Sequence, residues 1–67
     1  MNEAALIKTQ AKVQEIDREL LYYISDLLDG RSLLSDEHLT TLIESTEREL
    51  KIYEYILSLI IANSNQN

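Results

Sequence analysis

Apolar residues recur along this chain at alternating steps of three and four, and they do so in two separate series. Leu6, Thr9, Val13, Ile16, Leu20, Tyr23 and Leu27 form the first; Leu39, Ile43, Thr46, Leu50, Tyr53, Leu57 and Ile60 form the second. This spacing keeps one stripe of a helix turned toward another helix lying lengthwise against it. It predicts a helix over about residues 4–29 and a second, uninterrupted one over about 36–62, with a turn at 30–34. Met1 to Glu3 are expected to fray, and the polar residues 63–67 to form a mobile tail.

The boundaries have local causes. Gly30 is the single glycine, placed where a helix end needs a residue free to turn left-handed. Ser35 is a good N-cap, because its hydroxyl can accept from the free amides of the following turn. Asp36 and Glu37 then set negative charge against the positive end of the helix dipole. Leu34 and Leu39 occupy the positions of a hydrophobic staple. A short connection between two long amphipathic helices makes an antiparallel hairpin, so the fold class is all-α.

Further apolar residues lie beside the two seams. Leu21, Ile24 and Leu28 widen the first helix's apolar face near the turn, while Ile52, Ile56 and Leu59 widen the second helix's face near the open end. One partner helix is too narrow to cover both faces, and exposed patches of this kind mark interfaces. The expectation is a homodimeric four-helix bundle, or a hairpin docked into a larger helical protein. The interface residues are then Leu21, Ile24, Leu28, Ile52, Tyr55, Ile56 and Leu59.

Composition sharpens this picture. A chain of 67 residues without cysteine is one small domain that no disulfide staples. Its core gains little beyond the roughly 1.5 kcal/mol per residue that ordering costs, which makes burial against a partner useful. The net charge is −6, from twelve acidic and six basic side chains. That is the wrong sign for nucleic acid or for an anionic membrane surface. Such a chain could cover a basic surface on another protein or imitate DNA to one, although scattered acidity of this kind also serves simple solubility. The start of the chain lacks the features of a signal peptide, and its longest apolar run, Ile56 to Ala62, is interrupted by Ser58 and far too short to span a membrane. A cytoplasmic location is expected.

No constellation of residues points to chemistry. His38 is the only histidine, and the residue three before it is Ser35, where the helix-borne di-metal pattern would need Glu. A structural place in the first turn suits His38 better than metal or acid–base work. Glu15, Glu19, Glu44, Glu47 and Glu54 read as a solvated face, with Glu44–Arg48 and Glu47–Lys51 spaced for helix ion pairs. Nucleophile–base pairings and glycine-rich phosphate loops are missing. The chain is accordingly read as no enzyme, with no cofactor, no metal and no small-molecule ligand. Tyr23 and Tyr53 fall on the seams; Tyr22 and Tyr55 fall off them, where tyrosines favour interfaces.

The run Leu20-x-x-x-Ile24-x-x-Leu27-Leu28-Asp29-Gly30-Arg31, then Leu34-Ser35-x-x-x-Leu39-x-x-Leu42-Ile43 and Glu47, resembles the small enterobacterial biofilm and acid-resistance regulators of the AriR/YmgB type, the two-component-system connector proteins. Ile52-Tyr53-x-x-Ile56-Leu57-x-x-Ile60-Ile61 corresponds to that family's final helix, so the resemblance covers about residues 19–61. This chain is shorter at the N-terminus and lacks the break between the family's second and third helices. The resemblance implies a non-enzymatic, dimeric helical regulator acting on a signalling pathway. In length and architecture the chain is also similar to the cytoplasmic co-chaperones of type III secretion needle subunits. The Ser-Gln-x-x-Asp signature of the hairpin phosphatases of sporulation regulators is missing.

Overall fold

Two helices, α1 (Glu3–Asp29) and α2 (Asp36–Ser64), make up the fold in a computed structural model that describes residues 3–64. They pack antiparallel as a rod of 49 × 15 × 13 Å. Nothing between Glu3 and Asp29 breaks the helical ladder, since the chain has no proline and its one glycine follows Asp29. Gly30 then adopts φ 64°, and its amide donates to the Asp26 carbonyl at 3.0 Å. That bond, running from the residue after the helix to a carbonyl four positions back, closes the last turn. A Cβ at Gly30 would meet nothing within 4 Å. Backbone conformation, not crowding, is therefore what selects glycine there.

The restart at α2 follows the cap. The Ser35 hydroxyl accepts the His38 amide at 3.1 Å, and the Leu39 amide donates to the Ser35 carbonyl at 3.0 Å. Asp36 and Glu37 occupy the first turn. One further bond braces the connection: the Leu34 amide donates to the Ser32 hydroxyl at 3.0 Å. Of the staple pair, Leu39 is buried, whereas Leu34 keeps 42% of its surface in solvent.

α2 extends beyond the expected limit of 62, taking in Asn63 and Ser64. No glycine or proline follows Ala62 to stop it, and Asn or Ser costs a helix only a few tenths of a kcal/mol relative to better formers. The rest of the expected tail, residues 65–67, lies outside the described residues, as do Met1 and Asn2. Glu3, expected to fray, is the first residue of α1.

All residues of both predicted seams are turned inward. Ile16 and Leu39 are 1% exposed and Thr46 7%, and the others are half-buried. Partial burial is what a single helix–helix interface provides, because each seam side chain is covered by one partner only. Burying Ile16 and Leu39 fully stabilises the pair by about 1.5–3 kcal/mol each. Lys12 reaching the Tyr53 ring sets the first half of α1 beside the second half of α2, as an antiparallel hairpin with a short connection requires.

Candidate interaction surfaces

The residues beside the seams divide into two patches at opposite ends of the rod. Near the turn, Leu21 and Leu28 of α1 are 64% and 80% exposed. Ile24, expected with them, is half-buried. It lies four residues past Leu20 and three before Leu27, close enough to the seam for α2 to cover part of it. Near the open end, Ile52, Tyr55, Ile56 and Leu59 of α2 are 58%, 64%, 37% and 45% exposed. These four sit at i, i+3, i+4 and i+7, so they form one continuous stripe on the helix.

Helix handedness places the patches on opposite flanks of the hairpin. In an antiparallel pair of right-handed helices, the position after a seam residue falls on one flank for both chains, and the position before it falls on the other. Leu21 and Leu28 each follow a seam residue. Ile52, Ile56 and Leu59 each precede one. The flank carrying Leu21 and Leu28 receives Glu44, Glu47, Lys51 and Glu54 from α2. The flank carrying the α2 stripe receives Lys8, Lys12, Glu15 and Glu19 from α1. Along these rows neither flank is apolar on both helices; Ile7 of α1 and Ile61 of α2 share the flank of Leu21 only at the open end.

Other exposed apolar side chains extend the surface. Ile7 is 63% exposed and Ile61 43%, both on the flank of Leu21, while Leu33 in the connection is fully exposed. Ile7 was legible in principle, since Ile7, Leu21 and Leu28 stand at multiples of seven residues from one another. Tyr22, 64% exposed, meets the Tyr23 ring edge-on with centroids 6.3 Å apart. The Tyr23 hydroxyl donates to Glu19 Oε1 at 2.9 Å. That bond to a carboxylate, and secondarily desolvation, raises the Tyr23 pKa above 10.0.

The polar candidates stand in structural positions. His38 lies in a shallow depression of about 300 Å³ with Ser35, Glu37, Thr41 and Leu42, its amide already committed to the Ser35 cap. Glu19 serves Tyr23, and Glu15 stands 3.9 Å from Lys12 Nζ. Among the described residues this is the ion pair that forms; the pairs expected of Glu44 with Arg48 and of Glu47 with Lys51 do not close to 4 Å. Favourable spacing only permits such contacts, and on an exposed face the entropy of two long side chains cancels most of the gain. Thr40, Thr41 and Ser58 turn their hydroxyls to carbonyls of their own helix. Among the described residues no three His, Cys, Asp or Glu side chains converge as metal ligands would. Nor is any helix long and apolar enough to cross a membrane.

The fold and its surfaces define an all-α helical hairpin with two unpartnered apolar patches. Comparison of the chain with protein-family models, with curated proteins and with solved structures finds no match in any of the three.

Proposed function

We propose that this chain is a non-enzymatic protein–protein interaction module, a dimeric regulator or adaptor of a bacterial signalling or transcription pathway acting in the cytoplasm. The observation that carries the reading is the stripe Ile52–Tyr55–Ile56–Leu59, four large apolar side chains left in solvent on one helix face of a chain with net charge −6. Such a stripe is the anchor pattern by which helices dock on protein surfaces. The resemblance of residues 19–61 to the AriR/YmgB-type regulators supports the pathway part of the reading. The test is affinity capture from the native cell with the wild-type chain, with Ile52→Glu/Leu59→Glu and with Leu21→Glu/Leu28→Glu. A protein held by the wild type and lost in at least one variant is the expected result; identical capture by all three refutes the reading.

A second reading rests on the length of α2. A helix of 29 residues that offers an apolar stripe could sequester an amphipathic helix of an aggregation-prone protein, as a co-chaperone of a secretion needle subunit would. The two readings part on the isolated chain. A regulator is folded and self-associated alone, whereas a co-chaperone gains much of its helical structure only with its client.

A further inference from the structure

We infer that the stripe Ile52, Tyr55, Ile56 and Leu59 binds a second copy of this chain, α2 against the partner's α2, antiparallel about a two-fold axis between Tyr55 and Ile56. The inference rests on the reading of the chain as an interaction module and assigns an occupant to one of its two patches.

Four observations carry it. First, the stripe is self-complementary: its steps of three, one and three read the same in both directions. An antiparallel copy therefore sets Ile52 beside Leu59 of the partner subunit and Tyr55 beside Ile56 of the partner subunit, as an isologous contact requires. Second, the charges agree with this orientation. Two chains of net charge −6 associate only where like charges stay apart. The antiparallel register places Arg48 and Glu49 at the height of the uncharged Asn63 and Ala62 of the partner subunit. A parallel register would set Arg48, Glu49, Lys51 and Glu54 each at the height of its own copy.

Third, the flanks disfavour the broader contact. Stacking two hairpins flank on flank would press Lys8, Lys12, Glu15 and Glu19, or the acidic row of α2, against the other hairpin. Contact confined to the outer edge of α2 avoids this. Fourth, the alternative pairing of the α1 patch of one copy with the α2 patch of the next is head-to-tail, which builds a ring or an open filament where the α2 stripe paired with itself closes at two copies. The stripe is small, a few hundred Å² per copy, against about 800 Å² per partner in a standard interface. The dimer is therefore expected to be weak, dissociating in about the micromolar range. The patch around Leu21 and Leu28, on the opposite flank and at the opposite end, stays open for another protein.

The test is sedimentation velocity over a concentration series, with helical circular dichroism as the check on folding. Wild type should pass from monomer to dimer; Ile52→Glu/Leu59→Glu should weaken self-association by at least ~100-fold, because it forces charge into the contact. Leu21→Glu/Leu28→Glu should leave it unchanged. Because the chain has no cysteine, a single Ile56→Cys variant reports the axis even if the charged variants unfold: mild oxidation should yield a covalent dimer, and a Ser25→Cys control should not. Wild type that stays monomeric at all concentrations overturns the inference, as does a dimer broken only at Leu21/Leu28, or Ile56→Cys that fails to cross-link. A wild type that stays monomeric would also remove the dimeric part of the proposed function; the other outcomes leave the interaction reading standing, and its partner-binding part fails only on identical capture by the three chains.

Discussion

Lys12 of α1 holds its ammonium 5.9 Å from the centroid of the Tyr53 ring of α2, so a cation on one helix closes over an aromatic on the other. Lys12 is half-buried, which means its methylene stem also covers the edge of the seam. Lys12→Gln is expected to destabilise the hairpin by about 0.5–1 kcal/mol. Urea unfolding of the double-mutant cycle should show Lys12→Gln combined with Tyr53→Leu costing less than the two changes summed. Strict additivity would mean that the two side chains act independently. Glu15, at 3.9 Å from Lys12, is exposed and should contribute far less.

The connection should be sensitive at two residues for two different reasons. Gly30→Ala forces a Cβ into φ 64° and should cost about 1–2 kcal/mol through backbone strain alone, because space for the methyl is free. Gly30→Asn should cost less, as Asn tolerates that conformation. Ser35→Ala removes the acceptor of the His38 amide and should cost about 1 kcal/mol, with Ser35→Asp nearly neutral. Thermal melts of the four variants would check the ranking.

At the core the sign of the effect depends on polarity. Ile16→Ala and Leu39→Ala, at positions 1% exposed, should each cost about 2–5 kcal/mol. A hairpin this small has little to spare, so both variants should lose most of their helical signal at ambient temperature. Thr46 is 7% exposed at a position where no buried hydroxyl is left without a partner; Thr46→Val, which adds apolar surface to the seam, should raise stability by up to about 1 kcal/mol. A fall in melting temperature would show that the hydroxyl is needed.

Alkaline pH should loosen the region around Tyr23. Its folded-state pKa is raised above 10.0, first by donation to Glu19 and then by desolvation, so folding favours the neutral phenol. The stabilisation is fully present below the unfolded value of 10.0 and is lost as pH rises through the higher folded value. Titration of phenolate absorbance should show a step above pH 10.0, and Tyr23→Phe should delete that step. The same substitution should flatten the alkaline decline in stability.

Periodicity and local chemistry made the fold readable in the sequence. The seams, Gly30 and Ser35 each act through spacing or through bonds within a few residues, so no distant contact was needed to infer them. The cover over Ile24 and the closure of Lys12 on Tyr53 depend on how the second helix lies, which a pattern in one dimension does not carry. The exposed pairs Glu44–Arg48 and Glu47–Lys51 were misjudged because spacing licenses a contact without making it favourable. The candidate surfaces were legible as residues beside the seams, and their opposite flanks follow from helix handedness and the antiparallel pairing alone. A partner's identity leaves no such trace, because apolar anchors accept many helices and carry no reactive group.

The regularity that joins the helices also leaves them interchangeable along their length. Sliding α2 past α1 by seven residues, about 10.5 Å at 1.5 Å per residue, would again set one seam against the other, merely with different side chains meeting. Six residues from Gly30 to Ser35 forbid that slide, so the connection works as a ruler for the whole rod. Lengthening it by a flexible segment would release a second alignment, shifting Lys12 away from Tyr53 and moving the α2 stripe along the rod relative to the α1 patch. The distance between the two apolar patches is thus set by the connection.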